Sequence, residues 1–267
     1  MLNIAKEKGY DFIEYADANL YDNDINDSPT EHVHNNRKGK ILLRHDIDVD
    51  LSAAVKMANE EFNSGIKSTY FLMLRSPCYN LMSRSSHNYV NEILQLNHNI
   101  GLHYDHGHDL ENKNDFSYTH KQIELQSKWL ESLFSCKISA VSFHQPNIKA
   151  VQDLNNFGCL LNTYSKSLRE KYQYISDSNR KFSLFDSDKY TEKSICRLNK
   201  LANYYPKNIQ LLIHPLWWIY EESSTEKVWD QALIKNFEIS QKQLLKTERA
   251  YGPTRSFKIS THKNNYK

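Results

Sequence analysis

From Lys40 onward the chain alternates short apolar runs with longer amphipathic stretches. In "KILLRHDID" an apolar run is bounded by Gly39 and a charge cluster; it is too brief for a helix and predicts a buried strand. In "DLSAAVKMANEEFNSG", Leu51, Ala54, Val55, Ala58 and Phe62 recur near helical spacing, and Gly65 supplies a C-terminal stop. "STYFLML" predicts the next strand. Strand, helix, glycine, strand is a βαβ crossover, which requires parallel strands and a sheet covered on its faces. The alternation continues with a helix in "SHNYVNEILQLNHN", a strand in "IGLHYD" and a helix in "YTHKQIELQSKWLESLF" with Ile123, Leu130, Leu133 and Phe134 on one face. "ISAVSFHQP" predicts a further strand, followed by the runs "GCLLNTY", "YQYISDS" and "IQLLIHPLWW" and a last helix in "WDQALIKNFEISQKQLLKT".

Outside this alternation the pattern is weak. Residues 1–38 read as a polar N-terminal extension with a faint element near Gly9 to Tyr15, predicting a peripheral helix and then a loop. Residues 251–267 read as a polar, basic tail that frays. No repeat, low-complexity tract or linker interrupts residues 39–250, so they form one α/β domain, as a β/α barrel or a doubly wound sheet. Polar residues stand at the ends of several predicted strands, at Asp46 and Asp48, His103, His144 and His214. Parallel strands present their C-terminal ends on one face, and this regularity favours a barrel-like arrangement with a single site there.

Composition narrows the function. At 267 residues, 39% hydrophobic and 25% charged, the chain is an ordinary globular protein, and a formal charge of +2 gives no reason to expect nucleic acid as partner. No apolar run is long enough to span a membrane, and the polar N-terminus does not read as a signal peptide, which predicts a cytoplasmic location. Cys78, Cys136, Cys159 and Cys196 lack any C-x-x-C spacing and read as small apolar residues in a reducing compartment.

The chemistry concentrates in "LLRHDIDVD" and in histidines at later strand ends. Asp46, Asp48 and Asp50 alternate onto one strand face, where three carboxylates repel one another unless a cation or a hydrogen-bond network compensates. Asp50 reads as the cap of the following helix. "GLHYDHGHD" brings His103, His106 and His108 directly after a strand, a donor set suited with one carboxylate to Zn²⁺ and tolerant of Co²⁺, Ni²⁺, Mn²⁺ or Fe²⁺. "VSFHQP" and "LLIHPLWW" each place a histidine between a β-rich run and a proline, and Trp217 and Trp218 follow as core residues or, equally, as an apolar wall or a sugar-stacking platform.

In this order, "LLRHDIDVD", "STYFLM", "NIGLHYD", "SFHQP" and "LLIHPLWW" resemble the polysaccharide deacetylase (NodB-homology, carbohydrate esterase) family, in its divergent branch whose first motif reads His-Asp-x-Asp. The resemblance covers roughly residues 40–220. It implies an α/β fold of the distorted (β/α)7-type barrel and a metal-dependent hydrolase of N-acetyl or related acyl groups on small or oligomeric sugars. It places the catalytic base on Asp46, a metal-binding aspartate on Asp48, the first metal histidine on His103 and a general acid on His214. The third motif, which lines the groove, falls on His144-Gln145-Pro146, and an orienting aspartate of a later motif falls on Asp177. Arg44 and Trp217 join His144 and Asp177 as pocket residues. The chain departs from the family where a second metal histidine is usual four residues after the first, since position 107 is glycine. His108 is the expected third ligand, with His106, His144 or water as alternatives. Zinc is the expected metal, and a soluble precursor of surface polysaccharide the expected substrate. A deformylase or non-sugar amidohydrolase, an Asp-x-Asp glycosyltransferase and an inactive carbohydrate-binding relative remain alternatives at this point.

Overall fold

The chain enters its fold through a short helix α1 (Leu2–Glu7), a strand β1 (Tyr10–Ile13) and a single helical turn α2 (Tyr15–Ala18). Then come β2 (Gly39–Ile47), α3 (Leu51–Asn63), β3 (Thr69–Leu72), α4 (Arg84–Gln95), β4 (Asn99–Asp105), α5 (Phe116–Phe134), β5 (Ala140–His144) and β6 (Leu161–Asn162). The rest comprises α6 (Lys166–Lys171), β7 (Gln173–Ser176), β8 (Asn208–Leu212), α7 (Pro215–Ile219) and α8 (Thr225–Thr247). This is a computed structural model, and it describes residues 2–18, 39–105, 116–146, 151, 154, 157–180 and 208–251. The expected tail beyond Tyr251, the expected loop over 19–38, and His106 and His108 lie outside the described residues.

The named strands of the described residues pair in parallel, in the order β6-β5-β4-β3-β2-β8-β7, with β1 beside the first half of β2. The fold is therefore α/β with a parallel sheet, as the alternating pattern requires. One face of the sheet lies against the helices. There Tyr70, Leu72, Ile100, Leu102, Tyr104, Val141 and Phe143 pack with Ala54, Ala58, Val90, Ile93, Ile123 and Leu130 from α3, α4 and α5. The opposite face curls on itself, and side chains measure how far. Ser142 on β5 hydrogen-bonds Asp46 on β2 across two intervening strands. Gln210 on β8 donates to the Thr163 carbonyl just past β6, 3.0 Å away. Strands far apart in sheet order thus meet across a concave interior, the distorted-barrel arrangement.

The N-terminal segment differs from the peripheral helix expected of it. β1 adds a strand to the sheet, and α2 delivers Tyr15 into the concave side, where it is buried with Leu42, Phe71, Ala140 and Leu161. Its ring meets Phe71 edge-on at 5.5 Å and its hydroxyl reaches Gln210 at 3.3 Å. A faint sequence pattern is what such a segment offers, because its buried positions are few and spread over three short elements. Phe62, expected on the buried stripe of α3, is 51% exposed. Glu61 takes the inward position instead, accepting from His45 Nε2 (2.8 Å), Ser68 Oγ (2.7 Å) and Tyr70 OH (2.9 Å), so its buried charge is fully solvated by protein. The expected cap is present: the Asp50 side chain accepts from Ser52 N at 2.7 Å.

Curling brings β3 and β4 so close on the concave side that one position must lack a side chain. Gly101 pairs with Phe71, and a Cβ built there would lie 2.5 Å from the Phe71 ring. Gly101→Ala is expected to destabilise the protein by about 1–3 kcal/mol, the cost of overpacking. Adding Phe71→Leu should recover part of that loss in chemical denaturation; an unchanged midpoint in the single variant would contradict the contact.

Candidate metal-binding and acid-base site

The end of β2 carries two side chains into the concave interior, Arg44 and Asp46, separated by the strand period of two. They form a bidentate pair, Nε to Oδ1 at 2.8 Å and Nη2 to Oδ2 at 2.6 Å. Both are buried, Arg44 completely. Arg44 spends further donors on Thr163 Oγ1 and Tyr164 OH, each at 3.0 Å, and its guanidinium stands over the Tyr164 ring at 4.8 Å. Burial opposes the Asp46 charge, but the Arg44 guanidinium, joined by the charges of His103 and His214, holds the carboxyl below its ordinary range. Ser142 Oγ donates to Oδ1 at 3.3 Å. Arg44 and Ser142 together occupy three of roughly four lone-pair positions, leaving one on Oδ2.

Two residues on, Asp48 sits where the chain leaves the sheet. Tyr79 OH donates to the Ile47 carbonyl at 2.6 Å and Ser76 Oγ to the Asp48 carbonyl at 2.9 Å, which pins this exit. Asp48 Oδ1 lies 3.0 Å from His103 Nε2 and 3.1 Å from His144 Nδ1, and the two nitrogens are 3.2 Å apart. Ligand atoms at about 2.0–2.2 Å from one ion stand roughly 2.8–3.6 Å from each other in octahedral or tetrahedral arrangements, so this near-equilateral triangle has the size of one face of a cation's shell. It is the metal-sized group of His, Cys, Asp and Glu among the described residues. Burial works against the Asp48 charge, and the neighbouring histidines, His103 and His144 foremost and then His214, overcome it, keeping the carboxylate well below its usual range. His144 reaches the triangle because β5 ends there: Gln145 takes a left-handed φ of 42° just before Pro146 and turns the chain away.

His214 follows β8 and precedes Pro215 at the start of α7. Its Nδ1–H donates to Asp177 Oδ1 at 2.6 Å, and its backbone N–H reaches the same carboxylate. Trp218 Nε1 donates to Asp177 Oδ2 at 2.8 Å. Burial disfavours the His214 imidazolium, but the hydrogen bond and charge of Asp177, followed by the charges of Asp48 and Asp46, raise its pKa to about 9. Asp46, Asp48, His214 and Trp217 line one small cavity of about 10 Å³, close to the room one water needs.

The structure therefore brings Asp46, Asp48, His103, His144, Asp177, His214 and Trp217 to the C-terminal end of the sheet. Arg44, expected to line the pocket, lies behind Asp46 and is inaccessible, because the curled sheet leaves its guanidinium inside. His144, expected as a pocket residue with His108 as third ligand, stands beside Asp48 and His103. Trp217 packs edge-on against Trp229 at 6.2 Å, and its buried Nε1 has no hydrogen-bond partner among the described residues. The sequence reading missed Ser142 and the hydrogen bond of Trp218. Ser142 had one signal, its place two residues before His144 on a predicted strand.

No protein-family profile and no curated protein matches the chain. The chain is similar to solved structures of the CE4 family. One is a CE4 family pseudoenzyme from Bacillus anthracis, 15% identical over 77% of this chain and 63% of its own, with a TM-score of 0.41. The chain thus spans under two thirds of that protein. Another is the catalytic domain of a peptidoglycan N-acetylglucosamine deacetylase from Eubacterium rectale, 13% identical over 74% of this chain and 84% of that one, TM-score 0.43. A third is a family 4 acetyl xylan esterase from Clostridium thermocellum in complex with a cobalt ion, 12% identical over 75% and 84%, TM-score 0.38.

Arg44→Met leaves the Asp46 carboxylate buried without its counter-charge and is expected to cost about 3–5 kcal/mol. The double variant with Asp46→Asn should be less destabilised than Arg44→Met alone, a sign readable from a denaturation double-mutant cycle.

Proposed function

We propose that this chain is a divalent-metal-dependent hydrolase that removes an N-acetyl group from an amino sugar, acting in the cytoplasm on a soluble precursor of surface polysaccharide. The observation that carries the reading is a convergence: a three-atom ligand set, an arginine-clamped carboxylate and an aspartate-paired histidine at one end of the sheet. The order of motifs along the chain supports the amino-sugar substrate. No helix among the described residues is long and apolar enough to cross a membrane.

Asp48, His103 and His144 would hold the cation, and one carboxylate with two imidazoles suits zinc first, then cobalt, nickel, manganese or iron. When bound, it supplies Lewis acidity toward the acyl oxygen and acidifies a water. Asp46 takes the proton of the attacking water on the free lone pair of Oδ2, while Arg44 keeps the carboxylate ionised and oriented. His214 carries a proton at neutral pH and gives it from Nε2 to the leaving amine as the carbon–nitrogen bond breaks. Asp177 holds Nδ1–H throughout, which fixes the ring and stabilises its charged form. The products are the free amino sugar and acetate. Trp217 supplies an apolar wall for the acyl methyl. The glycosyltransferase alternative loses support, because Asp46 faces Arg44 and Ser142 instead of joining Asp48 around one ion.

Acetate release from N-acetylated sugars tests the reading. It should require added Zn²⁺ or Co²⁺ after chelation and should fall by about 10²–10⁴-fold in Asp46→Asn; metal-loaded protein that releases no acyl group from a sugar panel would overturn it. The rate should also decline on the alkaline side as His214 loses its proton through about 9. Asp177→Asn removes the largest of the contributions that raise this pKa and leaves those of Asp48 and Asp46, so the decline should move down toward the ordinary histidine value of 6.5. A pH–rate profile whose alkaline limb does not move would separate His214 from the acid role.

A further inference from the structure

We propose that Ser142 is a positioning residue that selects the metal-binding tautomer of His103 and ties it to the proposed base. The inference rests on the metal reading above. Ser142 and His103 are direct register partners on β5 and β4, and both face the concave interior. Ser142 Oγ lies 2.7 Å from His103 Nδ1 and 3.3 Å from Asp46 Oδ1. Ser142 is 0% exposed, so water does not compete for either contact.

Counting protons settles the direction of both Ser142 bonds. A hydroxyl has one proton to give and lone pairs to accept with. Asp46, held bidentately by Arg44, is a carboxylate and only accepts, so the Ser142 proton goes to it. The short contact to His103 must then use a proton carried on Nδ1. A neutral imidazole protonated at Nδ1 has its lone pair on Nε2, the atom that faces Asp48 and His144. With Ser142 removed, the Asp48 carboxylate 3.0 Å from Nε2 would draw the ring proton to that nitrogen, opposed among the described residues by a longer approach of Nδ1 to Asp46 Oδ2 at 3.6 Å. The same serine also takes up a lone pair of Oδ1, which directs the proton acceptance of Asp46 to Oδ2.

Zn²⁺ binding to the full chain, measured by competition with a chelating dye, tests this. Ser142→Ala should weaken binding about 10–100-fold, the usual effect of losing a hydrogen bond behind a metal histidine, while Ser142→Thr, which keeps the hydroxyl, should stay nearer wild type. In ¹⁵N NMR of the Zn²⁺-loaded protein, His103 should be protonated at Nδ1 in the wild type and lose that single pattern in Ser142→Ala. Melting of the metal-free variants controls for folding. Wild-type affinity together with a retained Nδ1–H signal in Ser142→Ala would overturn the assignment, and a wild-type chain that binds no Zn²⁺ would overturn both it and the metal reading. Neither readout uses substrate, so a failure of sugar hydrolysis and a failure of the Ser142 role are separate results.

Discussion

A guanidinium and a carboxylate two residues apart on one strand, both withdrawn from water, are the constraint around which the concave side of this protein is arranged. Neither charge is tolerable there alone, and together they are compensated only because the remaining donors of Arg44 find Thr163 and Tyr164. Those partners lie past β6, at the far end of the sheet order from β7, so satisfying one arginine requires the sheet to curl. The curl in turn creates the interior in which Asp46, Ser142 and His103 meet. The next residue of the strand repeats the device on the other face: His45 Nδ1 donates to the Ile213 carbonyl at 2.9 Å and Nε2 meets Glu61, tying β2 to β8 and to α3. Consecutive residues of one strand thus anchor the two sides of the sheet.

From this frame the site divides its charges. Asp46 and Asp48 are both held as carboxylates, the first by a fixed cation of the protein and the second by two histidines with a donor geometry that fits a mobile one. Across the same small cavity, His214 is pushed the other way by a buried aspartate. Titratable groups whose environments drive their pKa values apart are the arrangement acid–base chemistry needs at neutral pH. Asp46 and Asp48 come from the end of β2, and His103, His144 and His214 from the ends of β4, β5 and β8, which is why parallel strands with a shared C-terminal face suit such a site.

The strands and helices of the central region were legible because each buries one whole face, which imposes a period that survives in a single sequence. The short N-terminal elements were not, since Tyr10 and Tyr15 are isolated buried positions and no period is long enough to read. Phe62 and Glu61 exchanged their expected places for a related reason. Hydrophobicity ranks single residues, whereas Glu61 is buried by three partners that come from β2, β3 and the residue before it. Asp46, Asp48, His103, His144 and His214 could be singled out because polar side chains at the ends of apolar runs are conspicuous. Ser142 had only its place two residues before His144 to mark it, because a serine in a strand carries no chemistry until its neighbours are known.

What the sequence determined by itself was local and periodic: the parallel α/β alternation, the caps and turns, and the set of polar residues delivered to one end of the strands. Tertiary structure alone decided which of them meet. Gly107 removed the expected histidine spacing, and linear order cannot say that His144, arriving from β5, stands 3.2 Å from His103 on β4. Nor can it say that Arg44 faces inward to clamp Asp46 and not outward to a ligand. Both outcomes depend on sheet curvature, a property summed over many strand pairs, and no short stretch of the chain encodes it.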